Sequence, residues 1–301
     1  MSSSRREKVR GLYMRTYLEC IPCFFNQVVH MAKMSSDDEV VQKKIIDAVA
    51  KEIPEFSLDR TPPEMARTIH KIIECWAGEK DFYKEIKRKS NELALGIYPH
   101  LKEKVDQSED RLLMAVEIAI AGNVLDYGVK NTLNIEEEID RLLDKEFSAK
   151  VGKTVFDYEH FTEDLAKAKM ILYLGDNAGE TVFDRVLIEE IPEDKEVIYA
   201  VREKPAINDA LMEDALMCGI DKCAKVISSG VDAPGTILKY CSKDFCDLFR
   251  SADMVISKGQ GNYETLNGQD RQVYFLFRAK CPVIARHAKV DVGDIVLQKN
   301  I

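Results

Sequence analysis

The sequence has no excess of basic residues. Its 43 Lys and Arg are outnumbered by 52 Asp and Glu, which gives a net charge of -9 at pH 7. Binding to nucleic-acid phosphates or to an anionic membrane depends on clustered cationic side chains, so neither is expected as a partner. The chain also lacks an apolar run of the about 20 residues that span a membrane, and its charged start does not look like a signal peptide. We therefore expect a cytoplasmic protein.

Strand-like patterns are missing from the first half of the chain. Its segments carry apolar residues at a spacing of three and four, which predicts amphipathic helices. Pro54, Gly78 and Pro99 are expected to interrupt these helices, and Thr61-Pro62-Pro63-Glu64 is expected to open one. We assign residues 1–150 to an all-helical bundle or cap.

The pattern changes after about residue 165. Short apolar runs that alternate with helical segments lie at 169–175, 196–203, 224–230, 253–259 and 281–287. Apolar runs joined by helices are typical of a parallel sheet that is buried on both faces. We therefore predict an α/β fold over residues 151–301: a Rossmann-like, mostly parallel sheet with helices on both faces. The last residues, DIVLQKNI, are predicted to add a short strand.

Common phosphate-binding motifs are also missing. The chain has no GxxxxGK[ST] loop, and a dinucleotide GxGxxG motif would need glycine where Asn177 and Glu180 stand. A phosphatase of the Asp-x-Asp type would need a second acid at position 178, which is Ala. A methyltransferase-like nucleoside binder that uses Glu203 stays open, as does a non-catalytic module that binds a metabolite or metal.

Polar residues follow the predicted strands, at the edge where ligands bind in open parallel sheets. The oxygens of Asp176, Asn177 and Asp209 are of the type that holds magnesium or manganese, although Asp and Asn are also common turn and cap residues. Lys258 carries a charge suited to a phosphoryl oxygen, and backbone N–H groups beside it could approach an anion. These N–H groups belong to Gly259, Gly261 and Asn262.

With these residues in view, nearly the whole chain resembles the damage-control phosphatase family, a family of metal-dependent phosphatases. The resemblance rests on ordered motifs rather than on any one of them. They are Cys20-Ile-Pro-Cys23, Ala121-Gly-Asn123-Val-Leu-Asp126, Gly175-Asp176-Asn177-Ala-Gly-Glu180, Asn208-Asp209-Ala and Lys258-Gly-Gln-Gly-Asn262-Tyr-Glu264.

The resemblance implies a function and a set of roles. Asp176, Asn177 and Asp209 would bind a divalent cation (Mn, Mg, Co or Ni), and Lys258 would contact the substrate phosphate. Asn123 and Asp126 would reach the same pocket from the helical half. The substrates implied are small phosphorylated metabolites, such as sugar phosphates or damaged phosphate esters.

Three points stay open from the sequence. Cys20 and Cys23 mark the family branch that has an N-terminal Cys-x-x-Cys motif, but their role is not predicted. Attack on phosphorus by a metal-bound water is preferred to direct attack by an aspartate. The oligomeric state is not predicted either.

Overall fold

The computed structural model describes residues 13–78, 81–122 and 154–300. The helices that precede the sheet in the chain are α1 (Cys20–Ser35), α2 (Glu39–Glu52), α3 (Pro62–Ala77), α4 (Lys84–Gln107), α5 (Arg111–Ala121) and α6 (Tyr158–Lys167). A short 3-10 turn, Ile53–Glu55, follows α2. The predicted start of α3 is confirmed, because Thr61 and Glu64 form a reciprocal capping box there.

The break expected at Pro99 is wrong, because α4 continues through this residue to Gln107. Proline lacks a backbone N–H and therefore removes a hydrogen bond from the helix. Ile97 and Leu101, on either side of it, are completely buried in the core. Their packing outweighs the lost bond, so local sequence preference yields to tertiary contacts.

The second half forms the predicted α/β sheet. Its strands are β1 (Met170–Leu174), β2 (Glu196–Val201), β3 (Lys225–Ser228), β4 (Met254–Lys258), β5 (Tyr274–Arg278) and β6 (Ile295–Lys299). The order across the sheet is β3-β2-β1-β4-β5-β6. All neighbours are parallel except β5 and β6. The remaining helices are α7 (Glu180–Ile188), α8 (Met212–Met217), α9 (Lys243–Ser251), α10 (Gly259–Leu266) and α11 (Pro282–Ala288).

The strand predicted at residues 281–287 is wrong, because this run forms helix α11. Pro282 is the first residue of that helix, where its fixed φ suits the first turn and its missing N–H costs nothing. The true fifth strand is Tyr274–Arg278, an aromatic-rich run that favours a pleated, buried surface. The predicted last strand is confirmed as β6.

The two faces of the sheet lie against separate hydrophobic cores. Ile171 and Tyr173 of β1 point into one core, and Leu172 and Leu174 point into the other. Helices α4 and α5 pack into the first core, so the N-terminal half supplies part of the cover of the sheet. Helices α1, α2 and α3 surround a smaller core of their own. The division of the chain at residue 150 stays a prediction.

None of the helices within residues 13–78, 81–122 and 154–300 combines the length and hydrophobicity of a membrane span.

Candidate active site

The loops that follow β1 and β2 meet at the carboxyl edge of the sheet. Asn177 and Asp209 pair across them as an isolated antiparallel bridge, and the Ala210 N–H donates to the Asp176 carbonyl at 2.8 Å. The structure therefore brings together the residues Asp176, Asn177 and Asp209, as the strand-end pattern predicts. We call residues 175–180 and 208–211 the acid loops.

The carboxylates of the acid loops are buried and crowd one another. Asp176 is 8% exposed, Asp209 is 4% exposed and Glu180 is 2% exposed. Burial raises the pKa of Asp176 well above its ordinary value, and repulsion from Asp209 and Glu180 raises it further. Burial also raises the pKa values of Asp209 and Glu180, despite nearby cations that oppose the rise. This pocket therefore favours a bound cation.

Arg202, at the end of β2, is a partner of these carboxylates. Its Nε donates to Asp209 Oδ2 at 2.7 Å, and its Nη2 lies 3.7 Å from Asp176 Oδ1. No role for this arginine is predicted from the sequence, because the bond depends on how the two loops fold against each other. One guanidinium therefore serves two buried carboxylates, those of Asp176 and Asp209.

The amide of Asn177 is oriented by the neighbouring acids. Its Nδ2 donates to Glu180 Oε1 at 2.8 Å and to Asp176 Oδ2 at 3.1 Å. The carbonyl oxygen Oδ1 is then the atom that can coordinate a cation. In the described residues, no group of three His, Cys, Asp or Glu side chains is arranged as a metal cage. The predicted set of two carboxylates and one amide nevertheless has the oxygen chemistry that magnesium and manganese prefer.

Gly259, the first residue of α10, lies directly against Asp176. Its φ is +77°, and a Cβ built there would be 1.9 Å from Asp176 Oδ2. Any side chain would therefore collide with the carboxylate. The close approach puts the amino end of α10 beside the acid loops, where its backbone N–H groups could meet an anion.

Lys258 is held by protein carboxylates. Its side chain is 1% exposed, and its Nζ lies 2.5 Å from Asp184 Oδ1 and 3.4 Å from Glu180 Oε2. Asp184 also accepts hydrogen bonds from Tyr173 and Tyr199, each at 2.8 Å. Lys258 thus lies beside the acid loops with its charge already paired. Its predicted contact with a substrate phosphate stays a prediction.

The side chain of Asn262 fastens the edge of the sheet. Its Nδ2 donates to the carbonyls of Lys258 at 2.7 Å and Gly175 at 3.1 Å. Its Oδ1 accepts from Arg202 Nη2 at 3.0 Å and from the Thr236 N–H at 2.8 Å. The polar atoms of this side chain are therefore already hydrogen-bonded to other groups of the protein. Ligand contact by Gly259, Gly261 or Asn262 would use the backbone instead. We call residues 258–262 the lysine segment.

Lys280 is a cation near the acid loops that sequence reasoning missed. It is exposed and lies two residues after the end of β5. Its charge opposes the rise that burial causes in the pKa values of Asp176 and Glu180. Because the fifth strand is predicted at 281–287, Lys280 is not among the residues that follow a predicted strand. The aromatic run 274–278 is the signal that could have found it.

Other residues were also singled out from the sequence. Asn123 and Asp126 lie outside the described residues. Cys20 is partly buried, and burial raises the pKa of its thiol, while Cys23 is exposed. Glu203 is exposed and accepts a hydrogen bond from Ser228 at the end of β3.

Known proteins are similar to this chain in sequence and in fold. Residues 16–296 match the model of the damage-control phosphatase ARMT1-like domain. An uncharacterised protein of Methanocaldococcus jannaschii is 38% identical, over 97% of this chain and 98% of its own. A damage-control phosphatase of Pyrococcus horikoshii is 35% identical, over 95% of this chain and 99% of its own. The crystal structure of a DUF89 family protein from Pyrococcus horikoshii has a TM-score of 0.87 and 34% identity, covering 96% of this chain and 100% of that one.

Proposed function

Because the chain belongs to the damage-control phosphatase family, we propose that it hydrolyses phosphomonoesters of small phosphorylated metabolites with a divalent metal ion. The observation that carries the proposal is the meeting of Asp176, Asn177 and Asp209 in a buried, acid-rich pocket. A protein tolerates such a cluster of carboxylates when a cation neutralises it. The net charge of -9 also suits a small substrate better than a nucleic acid.

The metal ion would be held by the carboxylates of Asp176 and Asp209 and by the amide oxygen of Asn177. Oxygen ligands of this kind accept Mn, Mg, Co or Ni, so the set does not select strongly among them. When bound, the ion supplies Lewis-acid polarisation of a phosphoryl oxygen and a template for in-line attack. Arg202 keeps Asp209 oriented through its 2.7 Å bond to Oδ2.

The phosphoryl group needs further positive charge, because phosphoryl transfer depends on neutralising its equatorial oxygens. We expect the exposed residue Lys280 to supply part of it, because its charge acts on Asp176 and Glu180. Backbone N–H groups of the lysine segment, at the amino end of α10, would donate to the remaining oxygens. Lys258 is paired with Asp184, and its contact with the phosphate remains a prediction.

We favour attack on phosphorus by a water molecule that a carboxylate of the acid loops orients. Direct attack by an aspartate is the alternative. The stereochemistry at phosphorus separates them, because a single displacement inverts a chiral phosphate whereas two successive displacements retain its configuration. We expect inversion with an isotopically chiral phosphomonoester, and retention would require an aspartyl-phosphate route.

The function is tested by a phosphate-release screen across sugar phosphates, nucleotides and an aromatic phosphate. Each substrate is run with Mn, Mg, Co and Ni and with EDTA. We expect release with at least one metal and none with EDTA. Release that continues in EDTA would overturn the metal-dependent reaction.

Lys280→Gln offers a sharper test of substrate binding. We expect a KM about tenfold higher, because the lost charge meets the phosphate on entry. The control is Lys167→Gln, a side chain that is 72% exposed on helix α6. Equal KM values for the two variants would remove Lys280 from the phosphate site.

The nucleoside-binding alternative is not favoured by the comparisons. Glu203, which it requires, is already bonded to Ser228. A nucleoside retained through purification, together with inactivity toward every phosphate ester, would support it. The cytoplasmic location stays a prediction.

A further inference from the structure

Helix α4 reaches the first acid loop through a buried side chain, that of Asn91. This residue is 0% exposed. Its Oδ1 accepts a hydrogen bond from the Gly179 N–H at 2.7 Å, and its Nδ2 donates to Asp214 Oδ1 at 2.8 Å. Gly179 comes two residues after Asn177, which is a predicted metal ligand. A helix from the N-terminal half therefore holds the backbone of the loop that carries this ligand.

The backbone of Gly179 rests directly on α4. Its φ is +83°, and a Cβ at this position would lie 3.1 Å from Ser90 Cβ and 3.2 Å from the Ser90 carbonyl oxygen. The positive φ and this tight contact both favour glycine here. This approach brings the Gly179 N–H within reach of Asn91.

Asp214, the second partner of Asn91, holds the other acid loop. Its Oδ2 accepts from the Leu211 N–H at 2.9 Å, which caps helix α8. Leu211 lies two residues after Asp209. Both loops that carry predicted metal ligands thus reach the same buried carboxylate, one through Asn91 and the other directly.

Lys87, one turn before Asn91 on α4, supplies the counter-charge. It is 1% exposed, and its Nζ lies 3.2 Å from Asp214 Oδ2 and 2.8 Å from Asp81 Oδ2. A buried carboxylate of this kind would be costly without such a partner. The three side chains form a paired network, and paired networks of buried polar groups fix one arrangement of the backbone.

We propose that Asn91, Lys87 and Asp214 form a positioning unit through which helix α4 fixes both acid loops in the geometry that binds the metal ion. The unit touches neither substrate nor reacting atoms. The proposal rests on the metal role of Asp176, Asn177 and Asp209 given above. Removing such supporting partners typically weakens metal binding by about 10- to 100-fold.

A merely structural role predicts a different pattern, and Tyr98 provides the matched control. Tyr98 also lies on α4, and its hydroxyl donates to Glu189 at 2.8 and 2.7 Å, just beyond α7. Tyr98→Phe therefore removes a hydrogen bond from the same helix without touching an acid loop. Both Asn91→Ala and Tyr98→Phe are expected to lower the melting temperature.

The experiment measures Mn²⁺ binding by calorimetry and amide hydrogen exchange of residues 175–180 in EDTA-stripped protein. In Asn91→Ala we expect exchange of these amides at least about tenfold faster and Mn²⁺ affinity about 10- to 100-fold weaker. At saturating Mn²⁺ its kcat should recover to within a few-fold of the parent. Tyr98→Phe should match the parent in exchange and in affinity.

Several results would overturn the positioning unit. One is parent-like exchange and affinity in Asn91→Ala; another is an equal loss of affinity in Tyr98→Phe. If the parent itself binds no Mn²⁺, the proposed metal function fails, yet the exchange of residues 175–180 still decides the positioning role. Should Asn91→Ala not fold, the parent alone decides: its Gly179 N–H must exchange slowly without metal, and fast exchange contradicts the proposal.

Discussion

The acid loops and the lysine segment lie side by side, but they differ in how completely the protein satisfies their charges. In the lysine segment, Lys258 is paired with Asp184 and Glu180, and the side chain of Asn262 bonds to backbone and side-chain partners. In the acid loops, Asp176 and Asp209 share one guanidinium and keep raised pKa values. The difference indicates that the acid loops, whose charges are not balanced, are the binding side of the site. The lysine segment, whose charges are balanced, has a structural role.

The largest expected effect is on activity when the acid loops are changed. Asp176→Asn keeps the size of the side chain but removes a charge from the metal ligands. We expect phosphate release to fall by at least about 100-fold, because stabilisation of the transition-state charge depends on a correctly held ion. Steady-state assays at saturating Mn²⁺ measure this. A variant within a few-fold of the parent would place the binding side elsewhere.

The lysine segment should fail in a different way, through stability. Lys258→Met leaves Asp184 and Glu180 buried without their ammonium partner, which should cost about 3–5 kcal/mol of unfolding free energy. Urea unfolding measures this loss. The matched change Lys167→Met removes an exposed ammonium 4.0 Å from Asp164, and it should shift stability by less than about 1 kcal/mol. Equal effects would remove the contrast between the two regions.

Glu264 sharpens the comparison, because it is a buried carboxyl on the helix of the lysine segment. Burial raises its pKa to about 7, although a hydrogen bond from Gln260 acts to lower the pKa. The folded state then holds a proton that the unfolded state releases, so stability is highest below the ordinary pKa of 4.5. The free energy of unfolding should fall by up to about 3 kcal/mol as pH rises to about 7.

Urea unfolding across that range, with Glu264→Gln as the comparison, checks the pH dependence. The variant should remove this part of the fall. Parallel curves for parent and variant would show that Glu264 titrates normally.

The smallest expected effect is a gain of stability in the metal-free protein. The raised pKa of Asp176 means that the folded state loses stability as pH rises through the window above the carboxyl's ordinary pKa. Asp176→Asn removes that charge, so the EDTA-stripped variant should be about 1 kcal/mol more stable than the parent at neutral pH. Thermal unfolding with and without Mn²⁺ measures it. A less stable variant would mean that Arg202 already balances the pocket.

The sequence predicted the class of fold because local patterns encode it. Alternating apolar runs and helices indicate a parallel sheet, and the residues after β1, β2 and β4 point to the same edge. Local patterns led to wrong predictions at 281–287, which is a helix rather than a strand, and at Pro99, where the helix continues. A proline can open a helix or sit inside one, and only the tertiary packing around it decides which.

The site was predicted in part for a similar reason. Asp176, Asn177 and Asp209 follow strands, so their meeting follows from strand order. Arg202 and Asn91 make contacts with residues that are distant in sequence, and no local pattern predicts such contacts. Lys280 was missed because its position depends on the true end of β5.

The central claim is that the acid loops bind a metal ion that the reaction requires. Calorimetric titration of Mn²⁺ into the EDTA-stripped parent and into Asp209→Asn, with phosphate release measured on the same samples, tests it most directly. The account predicts that the parent binds Mn²⁺ and regains activity with it, and that the variant loses both. Phosphate release by the stripped parent, or Mn²⁺ binding by the variant as tight as the parent's, would contradict it.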